Sequence, residues 1–104
     1  MWYLCTRNNS YLERPMATVI IRKLSEQEFQ SMEISRWPTW EKEVSQFDWF
    51  YEGTEECYFL EGEVEIITDH GNFTIVQGDF VTLEKGLKCT WNIKKDVKKH
   101  YNFI

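Results

Sequence analysis

The sequence predicts an all-β fold, an antiparallel sandwich or small barrel with one short helical turn, and three observations predict it. Short β-branched and aromatic runs alternate with Gly-, Asn- and Asp-containing breaks at intervals of about 8–12 residues. A helix-start pattern occurs once, at Ser25-Glu-Gln-Glu28, where Ser and Glu stand at capping-box spacing. Hydrophobic residues make up 42% of the chain and aromatics 16%, enough large side chains to build a core. At 104 residues the chain has room for one such core, and hence for one domain.

Taken in order, residues 1–15 read as an N-terminal extension, and Met16 opens the domain proper, residues 16–104. Residues 18–22 carry the run Thr-Val-Ile-Ile and predict a first strand. The helical turn at Ser25 follows. In Trp37-Pro38-Thr39-Trp40 the proline holds Trp37 out of helical geometry, which predicts an aromatic-rich loop laid on the core. Residues 47–51 are aromatic enough for a strand, and Gly53-Thr54 can turn the chain. Residues 56–68 predict a long strand interrupted by Gly62. A hairpin turn at Asp69-His70-Gly71-Asn72 leads to strand 73–76, a turn at Gln77-Gly78-Asp79 to strand 80–83, and Glu84-Lys85-Gly86 to strands 88–93 and 97–103. The chain closes on apolar residues, as a strand tied into a sheet would.

Twelve basic against seventeen acidic residues give a net charge of −5, which disfavours nucleic acid and anionic membrane surfaces as partners. The run Lys94, Lys95, Lys98, Lys99, His100 reads as solubilising charge on a turn and strand edge, with a local basic patch as the alternative. Glu61, Glu63 and Glu65 alternate with Gly62, Val64 and Ile66, one acidic face and one apolar. Cys5, Cys57 and Cys89 have neither Cys-x-x-Cys nor zinc spacing, so reduced thiols are expected. No apolar run approaches the ~20 residues needed to cross a bilayer, and the N-terminal residues lack a signal-peptide core. The expected location is intracellular, in the cytoplasm, with a plastid left open.

Two consecutive blocks carry a resemblance. Glu56-Cys-Tyr-Phe-Leu-Glu-Gly-Glu-Val64 and Gly78-Asp-Phe-Val-Thr-Leu-Glu-Lys-Gly-Leu-Lys-Cys-Thr-Trp91 resemble the motifs of the cupin superfamily, most of all the small cupins that include ureidoglycine-aminohydrolase-like proteins. The resemblance implies a jelly-roll barrel, and the family habit of pairing through sheet edges is compatible with a homodimer. It also implies a metal site of histidines and one glutamate. With Gly62 fixing the register, Glu55 falls at the glutamate position, the first two histidine positions fall on Trp49 and Tyr51 or on Asp48 and Phe50, and Cys89 stands at the third. One carboxylate and one thiol cannot saturate a zinc, manganese or iron ion, so no metal or other cofactor is expected, and the metal-dependent aminohydrolase chemistry of the relatives is placed in doubt.

Strand alternation puts Trp49, Tyr51, Glu55, Cys57 and Phe59 on one face, and Cys89 with Trp91 on another strand. The candidate ligand-binding residues are therefore Trp49, Tyr51, Glu55, Cys89 and Trp91, a pocket suited to a small organic molecule with a polar or cationic group. Equally, these aromatics fill a narrow barrel as core. An inward carboxylate is costly without a partner, which makes Glu55 the candidate catalytic acid or base, unless a bulge turns Glu56 inward instead. Cys89 is a nucleophile only with an activating partner, and otherwise a buried inert thiol. Three functions follow: a metal-free small-molecule-binding protein, an enzyme with a non-standard site acting on a small ureide, amine or sugar-like substrate, or an interaction protein with a filled barrel.

Overall fold

Two long strands organise the chain. The computed structural model describes residues 17–104, and the extension expected at residues 1–15 lies outside them. Seven strands form: β1 Val19–Lys23, β2 Thr39–Lys42, β3 Ser45–Phe50, β4 Glu55–Thr68, β5 Gly71–Val76, β6 Asp79–Leu83 and β7 Lys88–Phe103. Between β1 and β2 lie the helix α1, Glu26–Ser31, and a single 3-10 turn, Ile34–Arg36. The capping box forms as expected: Ser25 Oγ accepts from the Glu28 amide and Glu28 Oε1 from the Ser25 amide, both at 3.0 Å. Phe29 then packs edge-on against Tyr58, with ring centroids 4.9 Å apart, which fastens the helix to β4.

β4 and β7 pair antiparallel from Glu55↔Phe103 to Ile67↔Thr90. The N-terminal part of β4 pairs on its other edge with β6, and β6 with β1. The C-terminal part of β4 pairs with β5 instead, while β7 takes β3 along its first half and β2 along its second. One seven-stranded sheet thus folds over on itself and encloses a core, the jelly-roll arrangement of a cupin. Phe59, Val64, Ile66, Ile75, Val81 and Leu83 are wholly buried, each worth about 1.5–3 kcal/mol of transfer free energy.

The fold-over is set at Gly62. Its φ of 105° is left-handed, and a Cβ there would stand 2.5 Å from the Asp96 carbonyl oxygen and 2.8 Å from Val97 Cα. Only glycine meets both demands. The β4–β7 register slips here, between Phe59 and Val64, so the inward positions of β4 change from Cys57 and Phe59 to Val64 and Ile66. The buried residues of β7 share one parity, Cys89, Trp91, Ile93, Val97 and Lys99, interrupted only by the exposed Lys95 at the bend.

Three local expectations change. The strands expected at 88–93 and 97–103 are one 16-residue strand, because β4 pairs with β7 on both sides of the intervening bend and at Lys95 within it. Thr39 and Trp40 are not loop: they begin β2, whose backbone pairs with β7 at His100 and Lys99. Pro38 precedes the strand, where its missing N–H costs no ladder bond, and its carbonyl accepts from the Tyr101 amide at 3.0 Å. The basic run is split: Lys94, Lys95 and Lys98 pair with Glu65, Glu63 and Glu41 on the surface, whereas Lys99 points into the core. His100 sets Nδ1 2.9 Å from the Trp37 carbonyl oxygen.

Candidate functional site

β2 and β3 are edge strands, and the aromatic side chains they carry do not close the barrel as the aliphatic ones of β5 and β6 do. Between them opens a cleft of about 660 Å³, within the roughly 300–1,000 Å³ usual for small-molecule sites. Trp40, Phe47, Trp49, Trp91, Tyr101 and Phe103 supply its apolar walls, Tyr51, Glu55 and Lys99 its polar part, and Glu41, Lys42, Ser45 and Gln46 the rest. Cross-strand pairing fixes the walls: Phe47 lies opposite Trp91 with rings stacked at 5.9 Å, and Trp40 lies opposite Lys99 and meets Trp91 edge-on at 5.6 Å.

Lys99 is the residue that sequence reasoning missed. Its side chain is 5% exposed, its Nζ donates to Glu55 Oε2 at 2.8 Å and to Cys57 Sγ at 3.3 Å, and the Cys57 thiol donates to the same Glu55 oxygen at 3.1 Å. The ammonium also stands 4.7 Å from the Trp91 ring centre and 5.0 Å from that of Trp40, so the two indoles share one cation. Burial acts to depress the lysine, but its contacts with Cys57 and Glu55 outweigh it, and its pKa stands above the usual lysine value. Lys99 is an ammonium at neutral pH. The available signal was parity, since Lys99 continues the inward series of Cys89, Trp91 and Val97 along β7.

Tyr51 is held by the backbone of the turn between β6 and β7: its amide donates to the Leu87 carbonyl at 2.9 Å and its carbonyl accepts from the Gly86 amide at 2.8 Å. Its hydroxyl oxygen accepts from Trp91 Nε1 at 3.2 Å. Burial, then the nearby Glu55 carboxylate, raises the phenol well above its ordinary range, so Tyr51 keeps its proton and can donate it in a hydrogen bond. Among the described residues that proton has no acceptor, Glu55 Oε1 has no donor, and the third Lys99 N–H has no oxygen or sulfur partner.

Of the expected binding residues, Trp49, Tyr51, Glu55 and Trp91 come together at the cleft, Trp49 at its rim with 54% of its surface exposed. Cys89 lies opposite Trp49 across β3 and β7 but is buried outside the cleft wall. Burial, then Asp48, pushes its thiol up to about 11, which leaves the neutral, unreactive form at neutral pH. Cys57 is pushed up further, by burial first. It is Glu55 rather than Glu56 that faces inward, and it does so with a partner.

The cupin fold implies a metal, and the donor set does not fit one. Among the described residues no three His, Cys, Asp or Glu side chains converge. Glu55 Oε2 is engaged by the Lys99 ammonium, whose charge opposes a metal cation beside it, and Cys57 remains a thiol rather than the thiolate a metal needs.

Residues 29–101 match the family model described as the EutQ-like cupin domain. Among solved structures, the chain is similar to a DUF861 family protein from Thermotoga maritima, with 45% identity over 84% of this chain and 100% of that one, at a TM-score of 0.82. It shares its fold with a EutQ protein from Clostridium difficile, 22% identical over 86% of this chain and 69% of that one at a TM-score of 0.59. It does so too with a putative ethanolamine utilization protein Q from Salmonella typhimurium, 20% identical over 62% and 53% at 0.58. No curated protein matches the chain. With sequence motifs, strand topology and these likenesses in agreement, the chain belongs to the EutQ-like cupin family.

Proposed function

We propose that this cupin binds a small organic molecule in the cleft between β2 and β3, without a metal. One observation carries the reading: the Glu55–Lys99 ion pair is buried, yet it forms part of the wall of an open cleft and keeps unused hydrogen-bonding positions there. A buried pair adds little net stability over apolar residues of the same volume, so stability alone is a weak reason for placing one here. A ligand that engages Glu55 Oε1, Tyr51 O–H and the aromatic walls gives the pair a use.

A thermal-shift screen of a metabolite library against the parent chain and Glu55→Gln tests this. Ligands should raise the melting temperature of the parent and do less for the variant. A screen with no stabilising compound, or stoichiometric transition metal in the purified protein, would overturn the reading.

The second reading is an enzyme of the ureidoglycine-aminohydrolase-like kind acting on a small ureide, amine or sugar-like substrate. It is favoured by the Glu55 carboxylate at the cleft, whose Oε1 is unengaged and placed to act as a base toward a bound substrate. Product formation that is lost in Glu55→Gln without loss of binding would select it. A homodimer belongs to the same proposal, supported by the edge position of β3 and the exposure of its Phe50, and is checked by sedimentation of the full chain.

A further inference from the structure

Resting on the binding reading above, we infer that the cleft selects an uncharged ligand that presents a hydrogen-bond acceptor and a donor side by side, as a primary carboxamide does, and discriminates against cations in spite of its aromatic walls. An aromatic cleft with a carboxylate ordinarily suggests a cationic guest. Here the guest's place is taken. Lys99 Nζ already lies over Trp91 and Trp40 and already pairs with Glu55.

The charges decide the matter. Glu55 and Lys99 stand 2.8 Å apart, so seen from the cleft they form a dipole of no net charge. A cationic ligand reaching Glu55 Oε1 is attracted by the carboxylate, but the ammonium beside it cancels a large part of that attraction; an anion at Lys99 meets the reverse. Either one loses its hydration on entering and receives little Coulomb energy in return. An uncharged group loses less, and three positions are set to receive it. Tyr51 offers its phenolic proton and Lys99 its remaining N–H to an acceptor, and Glu55 Oε1 takes a proton from a donor. Both Tyr51 and Glu55 are more than nine-tenths buried, which fixes these atoms before a ligand arrives. The flat walls of Trp49 and Phe47 at the cleft suit a planar molecule.

Three probes of nearly one shape test this: benzamide, benzamidinium and benzoate, titrated into the full chain at neutral pH and followed by calorimetry. Benzamide should bind, and each charged analogue should bind at least roughly tenfold more weakly. Tyr51→Phe should weaken benzamide by roughly fivefold, the worth of one hydrogen bond, while leaving the weak binding of benzamidinium where it was. Tighter or equal binding of either ion overturns the inference, as does the absence of benzamide binding. Should benzamide fail while the metabolite screen yields charged ligands, binding in the cleft stands and the charge selectivity falls. Should both fail, the binding reading falls with it.

Discussion

The inner residues of β5 and β6 and those of β2 and β3 face the same core from opposite edges, and they solve different problems. On β5 and β6 the fully buried inward positions are Ile75, Val81 and Leu83, with Val64 and Ile66 of β4 in the same core and the half-buried Phe73 packed against it. Branched aliphatic side chains of similar depth interdigitate and leave no room. On β2 and β3 the corresponding positions are Trp40, Phe47 and Trp49, half-buried or exposed, set around a buried ion pair. Large flat rings can stand edge-on and stacked without filling the space between them. One edge therefore holds the molecule together, while the other holds a cleft open.

That division is broken most severely at Lys99. Replacing it by Met leaves the Glu55 carboxylate buried without its cation and should cost about 3–5 kcal/mol by chemical denaturation, with Glu55→Gln added to Lys99→Met recovering much of the loss. Full stability of the single variant would show that the pair is not buried as described. Next, Ile75→Ala on the closed edge should cost about 2–5 kcal/mol through transfer and cavity terms, yet leave ligand affinity unchanged. If affinity fell with it, the two edges would be coupled rather than divided.

A smaller effect is expected at high pH. The Lys99 pKa is raised in the folded protein, so its contribution is complete below the usual 10.5 and is lost as pH rises through the higher folded value. Cys89 moves the same way: at about 11 folded against 9.0 ordinarily, its thiol ionises first in the unfolded chain, which favours unfolding from about pH 9 upward. Urea melts should be flat from pH 6 to 8, a window below both groups by the usual values, and should weaken progressively above. Smallest in stability is Trp49→Ala, within about 0.5 kcal/mol because the ring is at the rim, although ligand affinity should fall. Loss of stability without loss of affinity would assign Trp49 to the core instead.

The two edges also differed in how well the sequence announced them. Gly78 and Gly86 marked turns and Gly62 an interruption of a strand, and the backbone bears these out with φ of 91°, 92° and 105°, while the β-branched runs of β1, β5 and β6 became strands because local propensity and burial agree there. Glu55 stood out because a carboxylate at an inward position needs a partner. The partner itself was hidden. Lys99 sits among Lys94, Lys95 and Lys98, and composition averaged over such a run describes its surface, whereas the pleat of β7 assigns each residue singly. Trp40 was hidden for a related reason: Pro38 is a strong local signal against regular structure, and the pairing that overrides it comes from Lys99, far along the chain. Edge-strand pairing is a long-range fact, and a local window does not contain it.

The cation that faces Glu55 is bonded to the chain. Its concentration beside the carboxylate is therefore set by the fold and not by the solution, and neither dilution nor a chelator can withdraw it. A cupin that depends on an ion must acquire it after folding and can be left empty when the ion is scarce. Here the positive charge is in place as soon as β4 and β7 pair, so the charge facing Glu55 is inherited with the amino-acid sequence.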